Sequence, residues 1–168
     1  MSFAFGKASI KNMKGIRDDL KFLAQETIKM SPMDMTVLAT GGLRTASMQM
    51  ALYKSGASKL NGRSVLSKHQ KQADGFGWAI DLVPYYLGDP RWEWPLIYPI
   101  AACMAFLSIK HDTPLRWGGV WDRKMSEYID PRASIDQMAL QIKAEVNAYC
   151  IRHPGPDFID GPHYELLS

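Results

Sequence analysis

The run Trp-Ala-Ile-Asp-Leu-Val, residues 78–83, constrains this chain more than any other stretch. All of it but Asp81 is apolar, in the company that suits a buried strand, and Pro84 is expected to stop it. Burying an unpaired carboxylate costs several kcal/mol. The strand must therefore lie at an edge facing water, meet an arginine, or bring Asp81 to a metal ion.

Around this run, short segments alternate without a regular βαβ rhythm. Ile16, Leu20, Leu23, Ala24 and Ile28 form a helical stripe between about Lys14 and Met30. Met35–Ala39 reads as a short strand ended by Gly41-Gly42, and Thr45 as the N-cap of a helix closed near Gly56. A loop rich in Lys, Ser, Gly and Asn follows to about Ala73. Pro95 opens a helix to about Ile109, and Arg116-Trp117 is a strand candidate leading into Gly118-Gly119. Ser134 caps a helix that reaches about Cys150 with Ile135, Met138, Ile142 and Val146 on one face. After Pro154, Gly155 and Pro156, a last strand runs from His163 to Leu167. This order predicts the α+β class: a small, mostly antiparallel sheet packed with helices, in one domain spanning residues 1–168.

Composition excludes several functions. A net charge of +3 and a pI near 8.8, without clustered Lys and Arg, give no footprint for nucleic acid. No stretch approaches 18 apolar residues, so no stable membrane insertion is expected. The first residues lack an apolar segment after their basic ones, which argues against a signal peptide and for folding in a cytoplasm. Cys103 and Cys150 read as buried thiols, without a CxxC spacing.

The chemistry-bearing residues lie in two further places. His69 sits in Ser-Lys-His-Gln, and Asp160 and His163 flank the tight Gly161-Pro162 turn ahead of the last strand. Two histidines and an aspartate would leave a fourth tetrahedral position open for water, the catalytic type of zinc site. A carboxylate outside that set would then serve as general base. Spacing alone does not single out this triple, because four histidines and several aspartates offer others.

Five blocks in order carry a resemblance: GGLRTASMQMALYKSGASK, SKHQ, WAIDLVP, RWGGVW and FIDGPHYEL. Together with the leading segment FGKASIKNMKGIRDDLKFLAQETIKMSPMDMTVL, they cover nearly the whole chain. The sequence resembles the zinc-dependent peptidoglycan peptidases of the M15 class, and most of all the phage endolysins that cleave between L-alanine and D-glutamate. The resemblance implies a hedgehog/DD-peptidase-like zinc fold, a Zn²⁺ ion held by His69, Asp81 and His163, and Asp160 as the catalytic carboxylate. It also implies Arg44 as the group that binds a substrate carboxylate or polarises a carbonyl, and Ser67 as a hydrogen-bonding neighbour of the site. Gln49 matches a position read as structural. The implied partner is the peptidoglycan stem peptide, met by a monomer that waits in the host cytoplasm until lysis and then acts on the wall.

Two departures stand out. His69 and Asp81 are twelve positions apart where the common pattern has about seven, with Lys-Gln-Ala-Asp-Gly inserted. The insertion adds Asp74 as a competing ligand, but Asp81 is favoured because the resembling block contains it. Residues 122–158 form an enlarged helical insertion, for which packing is the default role against a lid or wall-binding element. Among other residues, His111 and His153 read as surface groups, Trp117 and Trp121 as core or groove, Trp92 and Trp94 as either. Glu165 shares the face of His163 by strand alternation but is expected to meet solvent, and the methionines read as core filler. The alternatives are a D-Ala-D-Ala-type carboxypeptidase with the same metal site, or a non-catalytic cell-wall binding module on the same fold.

Overall fold

The computed structural model describes residues 2–155 and 158–167; Pro156, expected in the loop before the last strand, lies outside them. Five α-helices are present among these residues: α1 (Lys7–Asn12), α2 (Asp18–Met30), α3 (Ala46–Lys54), α4 (Trp94–Lys110) and α5 (Ile135–Arg152), with a short 3-10 turn at Met125–Glu127. The caps expected from sequence form. Thr45 Oγ1 accepts the Met48 N–H at 3.2 Å, and Ser134 and Gln137 close a reciprocal capping box. The stripe from Lys14 begins as helix only at Asp18, because Gly15 takes φ +82° and Ile16 makes an isolated parallel bridge to Gly77.

Helix α4 is the hydrophobic centre. Ile97, Ile100, Ala101, Ala102, Cys103, Met104 and Ala105 are buried around its circumference, as an apolar helix without a polar face requires. It packs against α2 and against α5. Helix α5 joins this core through Met138, Ile142 and Val146.

Among the described residues, seven short strands accompany the helices: β1 (Met35–Thr36), β2 (Ala79–Asp81), β3 (Val83–Tyr86), β4 (Asp89–Pro90), β5 (Leu115–Trp117), β6 (Val120–Lys124) and β7 (His163–Leu166). They form two antiparallel sheets rather than one, in the orders β1-β3-β4 and β2-β7-β5-β6. The run 78–83 is divided between them, and Pro84 sits inside β3 instead of ending the strand. The strand tolerates a residue without an N–H because its neighbours hold the ladder. Tyr85 N–H donates to Asp34 O at 2.9 Å, and Pro84 O accepts from Arg91 at 2.8 Å. Strand β6 carries only two apolar residues, Val120 and Trp121, so it shows no clear strand pattern in the sequence.

Register in the second sheet sorts its side chains by chemistry. Ile80 pairs with Tyr164, Trp117 with Tyr164, and Leu115 with Leu166, all buried toward the core. Alternation sends Asp81, paired with His163, and Arg116, paired with Glu165, to the other face. That face is the floor of the site.

Candidate metal centre

Three donor atoms converge on this face. Asp81 Oδ1 lies 3.0 Å from His69 Nε2 and 3.0 Å from His163 Nδ1, and the two ring nitrogens are 3.1 Å apart. His69 and His163 are buried, and Asp81 is half-buried. The edges approach the ~3.3 Å expected between ligands of a tetrahedral ion with bonds of about 2.0–2.1 Å.

The outer nitrogen of each ring already has a partner. His69 Nδ1 lies 2.8 Å from Gly42 O, and His163 Nε2 lies 3.1 Å from Glu165 Oε2, so both donate outward. In their neutral forms the two rings therefore turn lone pairs toward each other and toward a carboxylate. Such a cluster is held together only by a positive charge at its centre. Burial opposes the charged form of His163, yet hydrogen bonds to Asp81 and Glu165 push it up to about 9. His69 moves the other way, because its desolvation dominates. Burial also works against the Asp81 carboxylate, but the two imidazoles hold it well below the usual range. The field at this point favours a cation, and the donor set fits a borderline divalent ion.

The turn at residues 41–44 builds half of this cluster. Gly41 O accepts the Asp81 N–H at 2.8 Å, Gly42 O orients His69, and Arg44 N–H donates to His69 O at 2.8 Å. Gly42 is required by space, since a Cβ there would overlap the carbonyl oxygen of Asn12. Arg44 Nη2 donates to Asp81 Oδ2 at 2.8 Å, while Nε bonds Thr40 O at 2.6 Å and Nη1 bonds Gln49 Oε1 at 3.2 Å. Gln49 is fully buried and also donates to Ser58 Oγ and Leu60 O, which ties the 55–77 loop to α3. Ser67 is buried two residues ahead of His69, its Oγ accepting the His69 N–H at 3.3 Å.

The twelve positions between His69 and Asp81 include a turn at Gln72–Phe76, with Gly75 at φ +85°. Asp74 belongs to that turn. Its carboxylate accepts from Phe76 N–H at 3.1 Å and Trp78 Nε1 at 2.9 Å, so it takes no part in the donor cluster.

The other half of the site hangs on the β5–β6 hairpin. Gly118 O accepts the Asp160 N–H at 2.8 Å and Gly118 N–H donates to His163 O at 2.9 Å, while Trp117 Nε1 donates to Gly161 O at 2.6 Å. The Asp160 carboxylate accepts no hydrogen bond from the described residues. Burial, and then the neighbouring Asp81 charge, raise it to about 6.

Glu165, expected at the surface, is buried instead. One oxygen meets His163 and the other takes Arg116 Nε at 2.8 Å and Nη2 at 2.5 Å. Strand alternation was the signal for its position; the pairing with Arg116 that makes its burial affordable comes from a register no local pattern reveals. Trp121 packs its ring 5.2 Å from that of His163, whereas Trp117 is fully buried in the core. Trp94 is half-buried against Trp117, and Trp92 is exposed. His111 ends α4 at the surface against Phe22, and His153 stacks on Tyr149 while bonding Asp122 at 3.1 Å.

A cavity of about 660 Å³ opens over the cluster, walled by Leu60, Val65, Leu66, Tyr149, His153 and Phe158. The C-terminal end of α5 therefore lines the site, while the same helix packs the core. A smaller cavity of about 160 Å³ lies on the Trp92 side, and Asp81 and Asp160 line both. These two carboxylates thus stand between two cavities.

With this geometry in place, the known relatives are informative. A family model described as phage L-alanyl-D-glutamate peptidase matches residues 1–142. The chain belongs to that family. A member from Escherichia phage T5, the L-alanyl-D-glutamate peptidase, is 31% identical over 127 residues, 73% of this chain and 84% of its own length. In three dimensions, this phage L-alanyl-D-glutamate peptidase family member shares its fold with the L-Ala D-Glu endopeptidase ChiX of Serratia marcescens. The TM-score is 0.64 at 20% identity, covering 99% of this chain and 91% of that one. No helix among the described residues is long and apolar enough to cross a membrane.

Proposed function

We propose that the protein is a zinc-dependent endopeptidase that cleaves the L-alanyl-D-glutamate bond of the peptidoglycan stem peptide and so acts as a phage lysin. The observation that carries this reading is the convergence of His69 Nε2, Asp81 Oδ1 and His163 Nδ1 within 3.0–3.1 Å, with both imidazoles oriented from outside. These three atoms would hold Zn²⁺, whose preference for nitrogen and carboxylate ligands they match. When bound, the ion supplies Lewis acidity, which polarises a peptide carbonyl and acidifies water near neutral pH.

The remaining steps belong to the chain's own groups. Asp160, free of hydrogen bonds from the described residues and lining both cavities, takes the proton of the attacking water and returns it to the departing amine of D-glutamate. Arg44 keeps Asp81 from rotating, and Glu165 does the same for His163. Two cavities that share Asp81 and Asp160 give a substrate room on either side of these carboxylates, which supports an endopeptidase over a carboxypeptidase. The same reading places the protein in the host cytoplasm, as a monomer, until the wall becomes accessible.

The test is incubation of the purified protein with peptidoglycan, with and without a chelator, and mass spectrometry of the new ends. Chelator-sensitive release of a D-glutamate amino terminus is expected, restored by zinc. Free D-alanine instead would make the protein a carboxypeptidase; intact peptidoglycan with tightly bound zinc would make it a binding module.

A further inference from the structure

A D-glutamate acylated on its amine and continued through one carboxyl still carries the other. On the proposed peptidase reading, which this argument assumes, the substrate therefore brings a negative charge a few bonds from the scissile amide. Four cationic side chains line the main cavity, Arg44, Lys59, Lys68 and Arg116, against the carboxylates of Asp81, Asp160 and Glu165. Arg44 is committed, since each of its three nitrogens donates to a protein acceptor and its side chain is 11% exposed. Lys59 and Lys68 extend from the 55–77 loop, their ammonium groups over the rings of Phe158 at 5.5 Å and Trp78 at 4.4 Å.

Arg116 differs from all three. It stands on β5, directly across from Glu165, with a side chain 37% exposed. Nε and Nη2 both donate to Glu165 Oε1, which fixes the guanidinium plane along one edge. No acceptor among the described residues meets Nη1. Glu165 in turn bonds His163, so the free edge of the fork is held at a set offset from the donor cluster. A planar fork fixed on one side and open on the other suits a carboxylate better than a mobile ammonium does.

We infer that Arg116 binds the free carboxylate of the substrate's D-glutamate and makes the enzyme select the acid over its amide. A carboxamide in the same place offers a neutral acceptor and turns N–H groups toward N–H groups.

The experiment uses two synthetic N-acyl-L-alanyl-D-glutamyl peptides that differ only in whether the second carboxyl is free or amidated. Zinc-loaded wild-type enzyme should prefer the acid by about tenfold to a hundredfold in kcat/KM, the span of one charge-assisted hydrogen bond, mostly through KM. Arg116→Gln should bring that ratio close to one, and Arg116→Lys should restore part of it. If Arg116 acts only by steadying Glu165 and His163, Arg116→Gln slows both substrates in proportion, and the unchanged ratio overturns the assignment. Equal use of both peptides by wild type also overturns it and leaves the peptidase reading standing. Cleavage of neither peptide by wild type overturns that reading and this assignment with it.

Discussion

His163 donates its Nε2–H to Glu165 Oε2 across 3.1 Å, and two residues of one strand thereby decide which face of an imidazole meets the donor cluster. The bond holds Nδ1 toward Asp81 and His69. Outer partners of this kind contribute about tenfold to a hundredfold in metal affinity. Glu165→Gln keeps the shape but weakens the acceptor and turns an amide toward Arg116. Zinc affinity, measured by competition with a chromophoric chelator, should fall by about that factor while the fold persists by circular dichroism. Unchanged affinity would leave Glu165 without a role at the centre.

Asp160 should separate binding from chemistry. Its carboxylate takes no part in the donor cluster, so Asp160→Asn should keep one zinc per chain by elemental analysis. Removing a general base typically costs about 10²–10⁴ in rate, and kcat on a soluble stem peptide should drop accordingly. His163→Ala should instead lose the metal itself. An Asp160→Asn enzyme of near-native rate would remove this residue from the mechanism.

The parts of this site legible in the sequence are those where local chemistry conflicts with its surroundings. Asp81 in an apolar strand demanded a partner, and the Asp160–His163 turn before a strand offered one. What stayed hidden depends on register between distant strands. Glu165 looks like a surface glutamate until Arg116 is placed across from it on β5. The resemblance implied a substrate-binding role for Arg44, whereas its contacts with Thr40, Gln49 and Asp81 become visible only when residues up to 37 positions apart are brought together. Pro84 ends a strand by its own chemistry, and only the ladder bonds of its neighbours let it sit inside β3.

Gly118 joins the two halves of the C-terminal site, bonding Asp160 through its carbonyl and His163 through its N–H. A Cβ added there would overlap the Asp160 carbonyl oxygen, so the strain falls on backbone that cannot swing aside. Gly118→Ala should cost about 1–3 kcal/mol, the usual range for overpacking, and should displace Asp160 enough to lower kcat sharply. Denaturant unfolding and turnover on the same preparation check both. Native stability with native turnover would mean that the hairpin relaxes without moving the carboxylate.

The wall of the main cavity is clamped by an ion pair that predicts a pH dependence. Asp122 on β6 accepts from Arg152 Nε and Nη2 at 3.1 and 3.2 Å and from His153 Nε2 at 3.1 Å, at the end of α5. Burial works to raise its pKa, but the hydrogen bonds from Arg152 and His153 outweigh that and hold the carboxyl below its ordinary value. A depressed folded pKa means stabilisation that is complete above the unfolded value of about 3.9 and lost as pH falls through the folded one. Since the pair is partly exposed, Asp122→Asn should cost only about 0.5–1 kcal/mol at pH 7. For a chain of this size that lowers Tm by roughly 1–4 °C. The difference in Tm between the variant and wild type should narrow as pH drops from about 4 toward 3. A difference that stays constant over that range would show that the carboxylate charge contributes nothing to holding α5 against the sheet.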